Sequence, residues 1–242
     1  QKNQTQRYLD KLVQLQQTDG GFSWFEGMPS NRYITQQIIL NLGRLRRLTG
    51  NTNQESKMIN SAFYYLDMEI ARDYENLKKY NKNFEDQNSI GNIQLFYLHL
   101  RSEFPEVPVH VSALEAYRFY TAQSEKYWTD FTLYGKAMTA LVAFRNGKVK
   151  IANEILKSLR ENALVSDEFG MYWAQNKAGY FWNERPIAIQ SAIIEAFSEI
   201  SNNQKETDEM KIWLLKQKQT QRWDSPLSTV EAVYALLHQG SD

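Results

Sequence analysis

A repeated pair of helices joined by a tryptophan-bearing loop constrains the fold of this chain more than any other feature of its sequence. Three segments carry the pattern, at residues 8–25, 152–173 and 210–225. Each contains a helical pattern, a short exit with Gln or Asn and a loop with Trp, and each is followed by a second helix rich in Ala, Ile, Thr or Gln. Trp24, Trp173 and Trp223 lie 149 and 50 residues apart, close to three periods and one period. A period of this length with two helices per unit predicts stacked α-hairpins.

Apolar residues recur at helical spacing along most of the chain, and such stripes are typical of amphipathic helices. Two clear stripes are Leu133, Ala137, Leu141 and Phe144, and Ile189, Ile193, Phe197 and Ile200. Glycine (11 residues) and proline (5) are sparse, which also favours helix. We therefore expect an all-α fold of about ten helices, with no strand pair.

Stacked hairpins can form an open solenoid or close into an α/α toroid. The second helices of the hairpins, near 34–48, 132–145, 187–200 and 228–238, are apolar and rich in small residues, as an inner ring would be. A ring also needs no special capping repeats. We predict a toroid with about five hairpins present, as a single domain over residues 1–242, because no Pro/Ser-rich linker divides the chain.

Composition excludes several classes of protein. The 28 Lys and Arg balance 28 Asp and Glu, so a nucleic-acid binder or a polybasic membrane-surface module is not expected. No apolar run approaches the 18 residues that a bilayer span needs. Cysteine is absent, which excludes disulfides, cysteine-ligated metals and a thiol nucleophile within these residues.

No motif for catalysis or cofactor binding is found. The three histidines, His99, His110 and His238, show no metal-ligand spacing, so no metal site is predicted. Gly20 and Gly21 stand alone and are expected to cap a helix rather than to bind phosphate. Paired loop carboxylates, as in glycoside hydrolases, remain the enzymatic alternative. The candidate loop acids are Asp19, Glu26, Asp167, Glu168, Glu184 and Asp224.

The aromatic residues of the loops have two possible roles. They are Trp24, Phe25, Trp173, Trp182 and Trp223, and on stacked hairpins they would project from the same end. They could form a stacking platform for a sugar or an isoprenoid. Alternatively, each could plug the gap between adjacent hairpins, which we favour because Trp recurs at the same position of the repeat. If a surface matters, we expect it to be this loop end.

Three stretches resemble a known family. Residues 12–45, with the run QQTDGGFSWF, resemble the helix–loop–helix that follows the thioester site in alpha-2-macroglobulins and complement components. Residues 132–173 and 210–240 resemble the bacterial branch of alpha-2-macroglobulin-like proteins, particularly those of Bacteroidetes-type bacteria. The resemblance covers roughly 12–50 and 130–240, and it does not extend to 51–128.

The resemblance implies a fold and a function. The fold would be the α/α toroid that houses the thioester, in a periplasmic or cell-surface endopeptidase inhibitor of several domains. There, a protease cuts a bait region, the inhibitor changes shape, and an internal Cys–Gln thioester is exposed to protease amines. Burial protects such an acyl group from water until the shape changes.

The thioester motif Cys-x-Glu-Gln is missing from these residues, and the sequence begins at Gln1 rather than Met. We therefore expect the C-terminal portion of the toroid domain, an incomplete ring that is not an enzyme. Its expected partners are other domains of the parent protein and target proteases. The alternatives are a glycan-active hydrolase or lyase on the same ring, and an architectural protein-binding module of the cell envelope.

Overall fold

The computed structural model describes residues 2–50, 56–177, 185–201, 203–220 and 225–238, without the side chains of 2–5, 219 and 220. These residues form ten α-helices and one two-stranded sheet, which confirms the all-α prediction. The helices are α1 (Lys2–Leu15), α2 (Arg32–Thr49), α3 (Ser56–Tyr80), α4 (Asn92–Glu103), α5 (Leu114–Tyr127), α6 (Leu133–Arg145), α7 (Val149–Glu161), α8 (Pro186–Ile200), α9 (Gln204–Thr220) and α10 (Pro226–Leu237). Short 3₁₀ turns cover Val111–Ala113 and Trp128–Asp130.

Helix ends follow the local sequence. The Asn31 side chain accepts a hydrogen bond from the Ile34 N–H at 3.1 Å and caps the start of α2. Gly50 ends the same helix with a left-handed φ of 67°, as its position predicts. Ser225 accepts from the Ser228 N–H at 3.1 Å and precedes Pro226, the first residue of α10.

The expectation that no strands pair was wrong. Strand β1 (Leu164–Ser166) pairs antiparallel with β2 (Gly170–Tyr172), with Leu164 opposite Tyr172. Each strand has three residues, which is too short for an alternating apolar pattern to appear in the sequence. The turn is closed by the Phe169 N–H, which donates to the Ser166 hydroxyl at 3.0 Å.

The chain divides into two compact units, Gln1–Gln123 and Ser124–Asp242. In the first unit, α2 packs on α3 and α4, and its core includes Leu40, Phe63 and Phe96. The single domain and the closure of the hairpins into a ring both stay predictions.

In the second unit, α6 packs on α7 and α8, and α8 packs also on α9 and α10. Every residue of α8 from Ile187 to Ser198 is buried. A helix that is buried all round must be apolar or carry paired polar groups, which explains its Ala- and Ile-rich sequence. Among the described residues, no helix combines the length and the apolarity needed to cross a membrane.

Candidate functional site

The loop between α1 and α2, residues 16–31, holds Trp24 and Phe25, which are the exposed members of the predicted surface among the residues that the structure describes. Its backbone folds back at once after α1, because the Gln17 N–H donates to the Gly21 carbonyl and the Gly20 N–H donates to the Gln17 carbonyl, both at 2.9 Å. The Asp19 carboxylate accepts from the Gly21 N–H at 2.9 Å and from the Ser30 hydroxyl at 2.7 Å. One side chain thus ties the first half of the loop to its last residues.

Gly20 is the residue at which this loop approaches the backbone of α3 closely enough to exclude a side chain. Its φ is +91°, and a Cβ at this position would lie 2.0 Å from the backbone carbonyl oxygen of Ser61. The Gln16 side-chain amide strengthens the same contact by donating to the carbonyls of Gly20, at 2.8 Å, and of Met58, at 2.9 Å. The expectation that Gly20 caps a helix was wrong: α1 ends earlier, at Leu15, and glycine is needed for the close approach to α3.

Phe22 is the aromatic residue of the loop that fills the interior of the first unit. Its side chain is 1% exposed, its N–H donates to the Thr35 hydroxyl at 2.8 Å, and its carbonyl accepts from the Asn31 N–H at 2.7 Å. These bonds fix the loop to the first turn of α2. The gap beneath the loop is therefore occupied without Trp24 or Phe25.

Trp24, Phe25 and Met28 are the exposed large apolar residues of this loop, and together we call them the aromatic knob. They are 45%, 72% and 46% exposed. The Met28 N–H donates to the Phe25 carbonyl at 3.2 Å across a turn in which Gly27 has a φ of +82°. The Trp24 ring stacks on Tyr33, with ring centroids 6.4 Å apart and planes at 24°. Phe25 stands at this turn with most of its ring in solvent.

The second unit contains a loop of the same construction. Gly170 has a φ of +65°, and a Cβ there would lie 2.0 Å from the backbone carbonyl oxygen of Glu209 in α9. The buried Gln190 amide donates to the carbonyls of Met171, at 2.9 Å, and of Met210, at 3.3 Å. In both units, a glycine with positive φ meets the backbone of a later helix, and a glutamine amide bonds the loop and that helix together.

Trp173, in the second loop, does not belong to an exposed surface, and its inclusion in the predicted surface needs correction. Its side chain is 2% exposed, its indole N–H donates to the Leu159 carbonyl at 2.8 Å, and its ring lies 6.4 Å from the Phe197 ring. Burial of the Trp173 ring is tolerated because its only polar group, the indole N–H, has a hydrogen-bond acceptor. Trp182 and Trp223 lie outside the described residues.

Asp67 is buried in the first unit and is fully engaged by hydrogen bonds. It accepts from the Tyr97 hydroxyl at 2.6 Å and from the His110 N–H at 2.7 Å, and it pairs with the Arg101 guanidinium. Burial, ahead of all other causes, raises the pKa of Tyr97. Arg101 also donates to the Val107 carbonyl at 2.9 Å. This network anchors the segment after α4 to α3.

A cleft of about 450 Å³ opens beside this network. It lies between α3 and residues 107–111, and it is lined by Tyr64, Asp67, Pro108 and His110 among others. Both oxygens of the only carboxylate in its lining, that of Asp67, already accept hydrogen bonds. The cleft therefore has apolar walls but offers no carboxylate with free oxygens for acid–base chemistry.

A second ionic cluster joins α6 to α8. Arg145 donates from Nε and Nη2 to the two oxygens of Glu199, at 2.9 and 2.6 Å, and from Nη2 to Glu195 at 3.1 Å. Their side chains are almost wholly buried. Bidentate pairing of this kind is strong and orients both partners. The cluster accounts for the two charged residues of α8.

The described loop acids named from the sequence belong to two loops, one in each unit. Asp19 is used inside its loop, Glu26 is exposed beside the aromatic knob, and Asp167 and Glu168 lie in the turn between β1 and β2. Glu184 and Asp224 fall outside the described residues. Met28 was missed by sequence reasoning, although the Gly27 beside it is a turn signal that places its neighbours at a loop tip.

No family model and no curated protein matches this chain.

Proposed function

We propose that this chain is a non-catalytic helical module of an alpha-2-macroglobulin-like endopeptidase inhibitor, located in the periplasm or at the cell surface. Its role is to pack against other domains of the inhibitor and to take part in the change of shape that captures a protease. The observation that carries the proposal is the loop at residues 16–31. The run that bears the resemblance, Asp19 to Phe25, both locks two helices together and displays two aromatic side chains.

The state of the carboxylates supports a non-catalytic role. A glycoside hydrolase needs two carboxyl groups that face each other with oxygens free for substrate and water. Asp19 instead accepts two hydrogen bonds within its own loop, and Asp67 and Glu195 are buried against arginine. Carboxylates held in this way orient their hydrogen-bond partners and stabilise the local structure.

An architectural protein-binding module that has lost inhibition is the second candidate. The exposure of Phe25 and Trp24 favours it as much as it favours the inhibitor, because exposed aromatic residues mark protein contacts in both. The two candidates differ in covalent chemistry, which only a Cys-x-Glu-Gln motif elsewhere in the parent protein would supply.

The experiment is protease capture by the complete gene product. The purified protein is incubated with an endopeptidase and examined on a denaturing gel, with and without prior treatment with methylamine. If the protein is an inhibitor of this kind, we expect a covalent adduct with the endopeptidase, and prior treatment with methylamine should abolish it. If neither the adduct nor incorporation of methylamine is observed, the inhibitor function is refuted and the architectural module becomes the favoured candidate. Turnover of a glycan by the 242-residue chain would overturn both.

A further inference from the structure

A cavity of about 230 Å³ opens in the second unit between the start of α6, the end of α7 and the segment that follows β2. Helix α6 contributes Leu133 and Lys136 to its wall, α7 contributes Ser158 and Leu159, and the segment after β2 contributes Gln175. Pockets for drug-sized ligands usually measure about 300–1,000 Å³, so this cavity suits a smaller ligand with a single ring.

The walls of the cavity are held by hydrogen bonds of the chain itself. The Thr132 hydroxyl accepts from the Gly135 N–H at 3.2 Å and caps the first turn of α6. The Asn176 N–H donates to the Trp173 carbonyl at 3.0 Å and closes the turn that carries Gln175. A cavity that is already formed loses little entropy when a ligand enters it.

The charge of the cavity points to a ligand with one negative charge. Lys136 is the only charged side chain among the described residues that line it. Its ammonium nitrogen lies 6.0 Å from the centroid of the Trp128 ring, which holds the cation by a cation–π contact. Within the described part of the chain, this ammonium group forms no ion pair with a carboxylate, so its charge remains available to a ligand.

The neutral side chains of the cavity suit hydroxyl groups and a ring with C–H faces. The Ser158 hydroxyl and the Gln175 amide line the cavity, and neither side chain forms a hydrogen bond with the residues that the structure describes. Hydroxyl and amide groups both donate and accept, as sugar hydroxyls do. The half-buried Phe131 lies beside Leu133 and Leu159 in the lining, and these three offer an apolar surface to the ring.

Other small anions use less of this wall. A phosphate ester carries a charge of about −1.5 to −2 and is best held by arginine forks, whereas the lining offers a single lysine. An apolar carboxylic acid would cover Ser158 and Gln175 without bonding to them, which is costly for polar groups. A neutral sugar would leave the Lys136 ammonium without a partner.

We propose that this cavity binds a sugar acid, a single hexuronate ring. The carboxylate of the sugar pairs with the Lys136 ammonium, and its hydroxyl groups bond to Ser158 and Gln175. The ring packs on Phe131. The site goes beyond the proposed function, because no step of protease capture uses it. Since none of the described lining residues is acidic, the site binds the sugar without hydrolysing it.

Titration of the isotope-labelled 242-residue chain with D-glucuronate, followed by NMR, tests the proposal. We expect saturable shifts of the resonances of Phe131, Lys136, Ser158 and Gln175. A ligand of about 13 non-hydrogen atoms that binds with ordinary efficiency has a Kd on the order of 1 mM. D-Glucose, which lacks the carboxylate, and acetate, which lacks the ring, should each bind about tenfold more weakly.

Two variants assign the roles of the side chains. Lys136→Met should weaken binding of D-glucuronate about tenfold and leave binding of D-glucose unchanged, because only the carboxylate loses its partner. Gln175→Ala should weaken binding of both sugars by a similar factor, about threefold. The matched control is Lys150→Met, which removes an exposed lysine of α7 outside the cavity lining and should leave both affinities unchanged. Circular dichroism during thermal unfolding checks that each variant keeps the fold.

Several results would overturn the proposal. They are the absence of saturable shifts at about twenty times the expected Kd, and shifts confined to residues away from the cavity. Equal affinity for D-glucose or acetate would remove the sugar acid as the ligand. Tighter binding of D-glucose 6-phosphate than of D-glucuronate would make the cavity a phosphate site instead. Equal effects of Lys136→Met and Lys150→Met would show that Lys136 does not hold the carboxylate.

Discussion

Gly170→Ala should destabilise the second unit strongly, because two separate costs meet at this residue. A non-glycine residue at a φ of +65° costs about 1–2 kcal/mol. The new Cβ would also lie 2.0 Å from the Glu209 carbonyl oxygen, whereas ordinary contacts begin at 3.4 Å. Since that oxygen belongs to the backbone of α9, the hairpin and the helix must move apart, and such overpacking costs about 1–3 kcal/mol. The expected loss in the free energy of unfolding is therefore about 2–5 kcal/mol.

Gly147→Ala is the matched control in the same unit. Gly147 has a φ of +76°, but no atom lies within 4 Å of the position its Cβ would take. Gly147→Ala should therefore lower the free energy of unfolding only by the cost of a non-glycine residue at positive φ, about 1–2 kcal/mol. Urea unfolding followed by circular dichroism at 222 nm measures both variants. Equal losses in the two variants would refute the claim that Gly170 is required for the approach to α9.

Three further perturbations test the buried contacts. Asp67→Ala should lower the free energy of unfolding by about 3–5 kcal/mol in urea, because it leaves Arg101 buried and unpaired. The double variant Asp67→Leu with Arg101→Met should lower it less, because no buried charge remains. An equal loss in the two variants would contradict this reasoning. Trp173→Phe should cost about 1–3 kcal/mol by removing the indole hydrogen bond, whereas Trp24→Phe should stay within about 0.5 kcal/mol; the reverse order would contradict the burial of Trp173. Burial raises the pKa of Tyr65 from 10.0 to about 12, so its contribution to stability is complete below pH 10 and is lost as the pH rises towards 12; Tyr65→Phe should lose less stability than the wild type between pH 9 and 11.

The helices could be predicted from sequence because their signals are local. The apolar stripe of α8 and the Ser225-Pro226 start of α10 lie within one or two turns of the residues they describe. The role of Gly20 could not be predicted in the same way. Its constraint comes from Ser61, which is distant in the sequence, so the local pattern suggested a helix cap instead.

The exposure of the loop aromatics could not be predicted either. The sequence repeat aligns Trp24 with Trp173, yet Trp24 lies four residues after Gly20 and is exposed, whereas Trp173 lies three residues after Gly170 and is buried. The difference depends on which neighbouring side chain fills the interior, and in the first unit that residue is Phe22. A repeat pattern predicts where a side chain stands along the chain, but only packing decides whether space remains for it.

The central claim is that Trp24, Phe25 and Met28 are exposed in the isolated chain and covered in the complete protein. Hydroxyl-radical footprinting tests this claim most directly, because it measures the solvent exposure of individual side chains. Oxidation rates are compared between the 242-residue chain and the complete gene product. The account predicts fast oxidation of all three in the isolated chain and strong protection in the complete protein, with Trp173 slow in both. Equal, fast oxidation of Trp24, Phe25 and Met28 in the two proteins would contradict it.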